Sequence, residues 1–412
     1  MTVNVTLKRT LSLPMMVLYG LGTTIGAGIY ALIGKIAGVA GYFAPFSFLI
    51  ASLMAGFTAI SFAELCSRFP RAAGAALYVK QGFASQRLST AVGLLVITAG
   101  LVSAAALVNG FAGYLQQFIG LERSTAVVLV TLLLGGTALW GIAESVTIAS
   151  VITVIEIGGL LLVIAVSNEA LSALPDRWTE FMPNTDISSW GGIYLGAVLS
   201  FYAFIGFEDM VDVAEEVKEV KHTLPTAILL TLGITTLIYM LLMVTAVLSL
   251  TPAELATSTA PLALIYEHHT GEKAVVITII GMFAIINGAL IQMIMVSRVL
   301  YGLSSRGQLP DVLGIVHHRT RTPVVATIVA TVIVLVFALI GSLTSLAETT
   351  SVIMLIIFSL VNLALWRIKR RDPNPVGVRT FPSWIPITGF LVSLGFVLNE
   401  VISLTGIWHA TG

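Results

Sequence analysis

The amino-acid sequence predicts an all-α, polytopic membrane protein, and three observations support this prediction. Hydrophobic residues make up 57% of the 412 residues and charged residues only 10%, whereas about a quarter of a soluble domain is charged. The apolar residues form runs of about 20, the length that a helix needs to cross a membrane. The polar intervals between these runs are too short for a separate soluble domain. We therefore expect residues 1–412 to form one transmembrane domain in a lipid bilayer.

Eleven apolar runs are long enough to be membrane spans, and the connections between them hold most of the prolines and charges. Seventeen of the 21 Lys and Arg residues fall on the side of the N-terminus, and cytoplasmic loops retain positive charge. We expect a cytoplasmic N-terminus, a C-terminus outside, and the inner membrane of a bacterial or archaeal cell. The predicted spans 1 to 11 cover residues 12–36, 41–65, 89–118, 125–142, 145–167, 191–216, 225–249, 274–303, 323–341, 346–368 and 384–405.

Charge and cysteine content exclude several classes of function. Acidic and basic residues are balanced at 21 each, and there is no basic tract that would favour nucleic-acid binding. Cys66 is the one cysteine, so we expect no metal centre, no cofactor and no disulfide-linked partner subunit. No nucleophile and base lie together within the spans, which argues against an intramembrane enzyme.

Spans 1 and 6 each contain a glycine interruption near the middle. Span 1 reads GLGTTIGAG over residues 20–28, and span 6 reads YAFIGFED over residues 202–209. Broken helices at matching positions of two five-helix halves are typical of inverted-repeat transporters, which bind substrate at the midplane. This interpretation divides the chain into a first repeat (12–167), a second repeat (191–368) and an extra helix (384–405). Close packing of helices through glycine is the alternative.

Three spaced motifs resemble the amino acid–polyamine–organocation superfamily of transporters. They are GTTIGAGIY at residues 22–30, AELCSRFPRAAG at residues 63–74, and FIGFE at residues 204–208 followed by Glu215 and Glu216. The resemblance implies a 5+5 inverted-repeat (LeuT-like) core and alternating-access transport of amino acids or related amines. Most members have twelve spans, so an eleven-span chain would keep the transport core.

An amino acid substrate needs donors for its carboxylate and acceptors for its ammonium group. A break in span 1 frees backbone N–H groups at the positive end of the following half helix, and small residues let a ligand approach that backbone closely. A break in span 6 frees carbonyl groups. The predicted carboxylate site comprises Thr23, Thr24, Ile25, Gly26, Ala27 and Gly28, and the predicted ammonium site comprises the carbonyls of Tyr202, Ala203 and Ile205.

Aromatic side chains surround the break in span 6. Following the resemblance, we assign Tyr202 as the gate on the outer side of the substrate and Phe207 as part of the side-chain pocket. Phe204 also lies at the break, but it cannot share a helix face with Tyr202, which is two residues away. Ser103 and Asn287 are candidate polar groups of the pocket, and hydrogen bonding between helices is their alternative role.

Glu156 lies at the middle of span 5, where a carboxylate is costly and indicates function. Because no Ser or Thr occurs over residues 282–296 of span 8, we expect proton coupling through Glu156 rather than a sodium site. Structural pairing with a neighbouring helix is the alternative. Glu208 adjoins the break in span 6, and by resemblance it would couple substrate occupancy to the inner gate.

The sequence therefore predicts a sodium-independent, proton-coupled or exchanging transporter of neutral L-amino acids. Two other substrate classes remain open because of Glu208: cationic amino acids and polyamines. A non-transporting amino acid sensor on the same fold is the alternative of another class. We also expect Glu215 or Glu216 to pair with Arg68 or Arg71 when the inner side closes.

Overall fold

A computed structural model describes residues 11–71, 74–140, 145–183, 187–305, 307–317 and 322–404, and these residues are almost entirely helical. The one pairing of extended backbone among them is an isolated bridge between Leu11 and Val217. The helices that correspond to spans 1 to 11 are Leu13–Thr24 and Ala27–Ala40 (spans 1a and 1b), Ala44–Arg68, Gln86–Ile119, Arg123–Trp140, Ser145–Val166, Ile187–Tyr202 and Phe207–Glu216 (spans 6a and 6b), Val220–Ser249, Val275–Ser305, Val324–Ile340, Leu343–Arg371 and Trp384–Leu404.

The helices have the length and composition of membrane spans. Six helical segments of the described residues are long and apolar enough to cross a bilayer, and four shorter apolar helices accompany them. Large apolar side chains lie on the outside, and Leu133 of span 4 and Leu237 of span 7 are each more than 60% exposed. Such side chains suit contact with lipid and not with water. The chain is an integral, polytopic, all-α membrane protein.

Short helices occupy several connections between spans. Between spans 7 and 8, Thr251 and Glu254 form a capping box that begins the helix Pro252–Thr257. Lys35 of span 1b donates a hydrogen bond from Nζ to the carbonyl of Ala256 in this helix, at 2.8 Å. The other connecting helices are Gly74–Phe83, Asn168–Ser172, Leu174–Arg177 and Pro261–Thr270, with 3₁₀ turns at Trp178–Phe181 and Asp311–Gly314.

The predicted interruptions of spans 1 and 6 are both present. Span 1a ends at Thr24 and span 1b begins at Ala27, with Gly26 at its N-cap. Span 6a ends at Tyr202, and span 6b begins at Phe207 as a 3₁₀ helix. Both breaks lie in the interior, where the two spans pass each other.

A buried charge network joins the ends of spans 2 and 10. The Glu64 carboxylate accepts hydrogen bonds from Nη2 of Arg68 at 2.7 Å and from Nζ of Lys369 at 2.8 Å. It also accepts a bond from the backbone N–H of Phe381, in the segment before span 11, at 2.9 Å. Nη1 of Arg68 donates to the carbonyl of Asp372 at 2.8 Å. The network therefore fastens spans 2 and 10 and their following segment into one unit.

Arg68 is thus engaged with partners other than the predicted ones. Its side chain, only 3% exposed, forms ion pairs with Glu64 and Asp372. The side chains of Glu215 and Glu216 lie outside the described part of the chain, so the predicted pairing with Arg68 or Arg71 stays a prediction.

Candidate functional site

Spans 1 and 6 contact each other backbone to backbone at their breaks, and two glycines make this contact possible. A Cβ atom on Gly28 would lie 2.5 Å from Cα of Ala203, and one on Gly206 would lie 2.5 Å from the carbonyl oxygen of Thr23. Gly206 also has a φ of +127°, which favours glycine. Oγ1 of Thr23 donates a hydrogen bond to the Gly206 carbonyl at 3.0 Å. The two breaks therefore form one junction.

A small cavity lies beside this junction, between spans 1, 3, 6 and 8. Its free volume is about 30 Å³, which suits water and is too small for an amino acid. The described lining residues are Thr23, Thr24, Gly26, Gly28, Ser103, Leu107, Tyr202, Ile205, Gly288, Ile291 and Gln292. None of these side chains is charged, and seven of the predicted site residues are among them.

The break in span 1 presents the N-terminus of span 1b to the cavity. The first amide groups of a helix have no partner within the helix, and Gly26 at the N-cap has no side chain to accept from them. Ile25 differs from the prediction, because its N–H already donates to the Leu21 carbonyl at 2.7 Å. The side chain of Ile25 is buried and does not line the cavity, and that of Ala27 lies outside the described residues.

The break in span 6 offers fewer free carbonyls than predicted. Residues 203–205 form a tight turn, in which the Tyr202 carbonyl accepts from the Ile205 N–H at 3.2 Å. No described group donates to the carbonyls of Ala203 or Ile205. The carbonyls of Ala203 and Ile205 are therefore available to accept a hydrogen bond from a ligand. Tyr202 lines the cavity with its side chain.

Tyr202 bridges span 6 to span 3 across the cavity wall. Its hydroxyl lies 3.1 Å from Oγ of Ser103, within hydrogen-bond distance. Both residues line the cavity, and the bond between them joins spans 3 and 6 at the cavity wall. This placement suits a gate.

Phe204 and Phe207 do not line the cavity. The Phe204 ring packs against Phe48 and Tyr239, and the Phe207 ring packs edge-on against Phe62 with a centroid distance of 6.0 Å. Both rings are fully buried. Because the chain turns between Tyr202 and Gly206, the Phe207 side chain packs among these rings and not in the cavity wall. Its assignment to the side-chain pocket stays a prediction.

Four lining residues were not predicted from the sequence. Leu107 lies one turn beyond Ser103 on span 3, and Gly288, Ile291 and Gln292 form one face of span 8. The prediction for span 8 was Asn287, which does not line the cavity and lies one residue away from the correct face. Leu107 could have been predicted, because it lies four residues after Ser103 and therefore on the same helix face. The sequence of span 8 contains no pattern that indicates which of its faces lines the cavity.

Glu156 is fully buried at the middle of span 5, and neither of its carboxyl oxygens has a hydrogen-bond partner among the described residues. The Asn287 side chain faces this carboxyl, and its Nδ2 atom is also unpaired. Tyr30 and Tyr239 are the facing titratable groups, but their hydroxyls donate to the backbone carbonyls of Glu156 and Thr24, at 2.7 and 2.9 Å. Among the described residues, Asn287 is therefore the polar side chain that faces the Glu156 carboxyl group.

Glu208 and Asp209 of span 6b do not line the cavity. Oε2 of Glu208 accepts a hydrogen bond from the Gly206 N–H at 2.9 Å, so the side chain turns back onto the break. Oδ2 of Asp209 accepts from Nε2 of Gln292 at 3.2 Å. In the described part of the chain, no group of three or more His, Cys, Asp or Glu is placed to hold a metal ion.

The chain is similar to known transporters along almost its whole length. A family model described as amino acid permease matches residues 10–406. The chain is 28% identical over 422 residues to the branched-chain amino acid permease of Bacillus subtilis (strain 168), and the match covers 95% of this chain and 88% of that protein. It is 25% identical over 436 residues to the methylthioribose transporter of the same organism, with 98% and 92% covered.

A plant relative is longer than this chain. The vacuolar cationic amino acid transporter 2 of Arabidopsis thaliana is 26% identical over 390 residues, a match that covers 89% of this chain and 61% of the plant protein. The chain therefore spans about three fifths of that transporter. The family match, the helical membrane fold and the junction of two broken helices are all consistent with a transporter. The chain is a transporter and not an enzyme, and it belongs to the amino acid permease family of the amino acid–polyamine–organocation superfamily.

Proposed function

We propose that this amino acid transporter is a secondary transporter of neutral L-amino acids that works by alternating access. The observation that carries the proposal is the cavity at the junction of the two breaks, whose described lining contains no charged side chain. The similarity to a branched-chain amino acid permease agrees with an uncharged substrate. We further propose that residues 12–167 and 191–368 are inverted repeats and that residues 384–405 are an additional helix.

The two breaks suit the two charged ends of an amino acid. The amides that begin span 1b, at Ala27 and Gly28, would bind the carboxylate, because a helix N-terminus attracts an anion. The carbonyls of Ala203 and Ile205 would bind the ammonium group. The substrate side chain would then lie against Leu107 of span 3, where the wall is apolar.

Substrate entry requires the cavity to enlarge, because its present free volume is only about 30 Å³. The hydrogen bond between Ser103 and Tyr202 joins span 3 to span 6 at the cavity wall. The bond between Gln292 and Asp209 joins span 8 to span 6. We propose that these bonds break and re-form in turn during alternating access.

Glu156 would couple this movement to protons. An ionised carboxylate is disfavoured at a buried site without a charged partner, so we infer that Glu156 holds a proton while it is buried. Water that reaches it when one side opens would allow ionisation. The Tyr30 hydroxyl donates to the Glu156 backbone carbonyl, and Tyr30 lies two residues beyond Gly28, so this bond would link span 5 to span 1b.

Uptake by the purified protein in liposomes tests the substrate class. We expect uptake of labelled leucine, isoleucine or alanine to be driven by an inward proton gradient and to be unchanged when sodium replaces potassium. Lysine, arginine and putrescine should compete poorly. Binding of leucine without any uptake would favour the sensor, and preferred uptake of lysine would favour a cationic amino acid transporter.

Orientation and location are also proposals. The excess of Lys and Arg on one side supports a cytoplasmic N-terminus and an outward C-terminus. The Bacillus subtilis relatives agree with the inner membrane of a bacterial cell.

A further inference from the structure

We propose that Gln292 determines the charge selectivity of the transporter by covering Asp209, a carboxyl group that lies directly behind the cavity wall. This inference rests on the proposed function, since it explains why a site beside three carboxyl groups would accept neutral substrates. Gln292 lines the cavity, whereas Asp209 does not. Both side chains are more than nine-tenths buried.

The contact between these two side chains is specific. Nε2 of Gln292 donates a hydrogen bond to Oδ2 of Asp209 at 3.2 Å. On the opposite side, span 3 passes so close that a Cβ atom on Gly100 would lie 3.3 Å from Oε1 of Gln292. The carboxamide is therefore held between spans 3 and 6, with its donor toward the carboxyl group.

The neighbouring carboxyl groups have other partners. Glu208 accepts the N–H of Gly206 at the break, and the carboxyl group of Asp212 faces the guanidinium group of Arg298 on span 8. Of the three, Asp209 is the one with a described hydrogen bond to a side chain of the cavity wall. Its only described side-chain hydrogen bond is with a neutral amide.

The chemistry of this contact explains how selectivity would arise. A cationic side chain that reached Asp209 would form a charge-assisted hydrogen bond, which is stronger than the bond from a neutral amide. Gln292 opposes this because it stands between the cavity and Asp209 and already donates to Oδ2 of that carboxyl group. When Gln292 is shortened, the cavity deepens and its new floor is a carboxyl group that suits the ammonium or guanidinium group of lysine or arginine.

The test is binding of leucine and lysine to the purified, full-length protein and its variants. We expect Gln292→Ala to raise the ratio of lysine affinity to leucine affinity by about tenfold or more. The double variant Gln292→Ala, Asp209→Asn should bring this ratio back to the wild-type value. The matched control is Met295→Ala, which removes volume from the same helix beside Gly100 without uncovering Asp209, and it should leave this ratio unchanged.

Three results would overturn the proposal: an unchanged ratio of lysine to leucine affinity in Gln292→Ala, a rise in this ratio that persists with Asp209→Asn, or an equal rise in Met295→Ala. If Gln292→Ala is not monodisperse, Gln292→Ser makes the same test. Failure of the proposed function is a different result, because then the wild-type protein itself binds or transports no neutral amino acid.

Discussion

Gly26 and Gly28 lie two residues apart in the same motif but have different roles in the structure. A Cβ atom on Gly26 would meet nothing closer than Leu107, at 4.0 Å, whereas one on Gly28 would collide with the backbone of Ala203. The φ of Gly26 is −148°, which other residues adopt readily. A side chain at residue 26 therefore enters the cavity, while one at residue 28 separates spans 1 and 6.

We expect Gly26→Val to abolish leucine binding and to leave the protein monodisperse with a normal unfolding temperature. Gly28→Ala should instead destabilise the fold by about 1 to 3 kcal/mol through overpacking. Calorimetric binding and thermal unfolding in detergent measure both effects. Gly233→Val on span 7 is the control, because a Cβ atom there contacts nothing. Unchanged leucine affinity in Gly26→Val would place the substrate elsewhere.

At the residue scale, the sequence predicted the parts of the cavity that depend on backbone chemistry. Glycines within an apolar run mark a break, and a break has free backbone groups whatever the surrounding fold is. The orientations of side chains near the break depend on the tight turn at residues 203–205, which the sequence does not specify. For this reason Tyr202 lines the cavity as expected and Phe207 does not.

Span 5 carries Glu156, the residue that we propose for proton coupling. Glu156 does not line the cavity, but the Tyr30 hydroxyl links its backbone to span 1b. We expect Glu156→Gln to bind leucine normally and to flatten the dependence of uptake on pH between about 5 and 8, since glutamine copies the protonated acid and cannot ionise. Initial uptake rates in liposomes measure this profile.

Glu169→Gln, at an exposed residue of the short helix after span 5, is the matched control and should keep the wild-type pH profile. If the role of Glu156 is purely structural, the results for Glu156→Gln should be different. In that case Glu156→Gln would lower the unfolding temperature and leave the pH profile unaltered.

At the element scale, the predicted spans agree with the helices to within a few residues, because span length is set by the thickness of the bilayer. The connections were predicted less well. The connection between predicted spans 7 and 8, residues 250–273, contains two helices for which the sequence analysis gives no prediction. Thr251 and Glu254 are a capping-box pair with a proline between them, which is a helix-start signal. No comparable sequence pattern indicates that span 6b forms a 3₁₀ helix.

The Glu64 network connects spans that are far apart in the sequence, because it joins span 2 to span 10 and to the segment before span 11. Removing one partner of a buried ion pair leaves an uncompensated charge and costs about 3 to 5 kcal/mol. We therefore expect Lys369→Met to lower the unfolding temperature markedly. The double variant Glu64→Gln, Lys369→Met should be more stable than the sum of the single changes predicts, because the two residues interact directly.

Arg370→Met removes the same charge from the next residue of span 10, where the side chain is exposed and lies over the Trp366 ring. It should change the unfolding temperature little, since exposed charges contribute weakly. Equal destabilisation by Lys369→Met and Arg370→Met would show that the buried network does not stabilise the fold.

Cys66 has a practical consequence for experiments on the intact molecule. It is the sole cysteine of the 412 residues, it is fully buried, and its Sγ donates to the carbonyl of Ala63 at 3.3 Å. A polar maleimide should therefore find no native thiol to modify. Pairs of cysteines placed on either side of the junction can then carry spin labels or fluorophores in an otherwise natural chain, and the label-to-label distances would record the transport cycle in a bilayer.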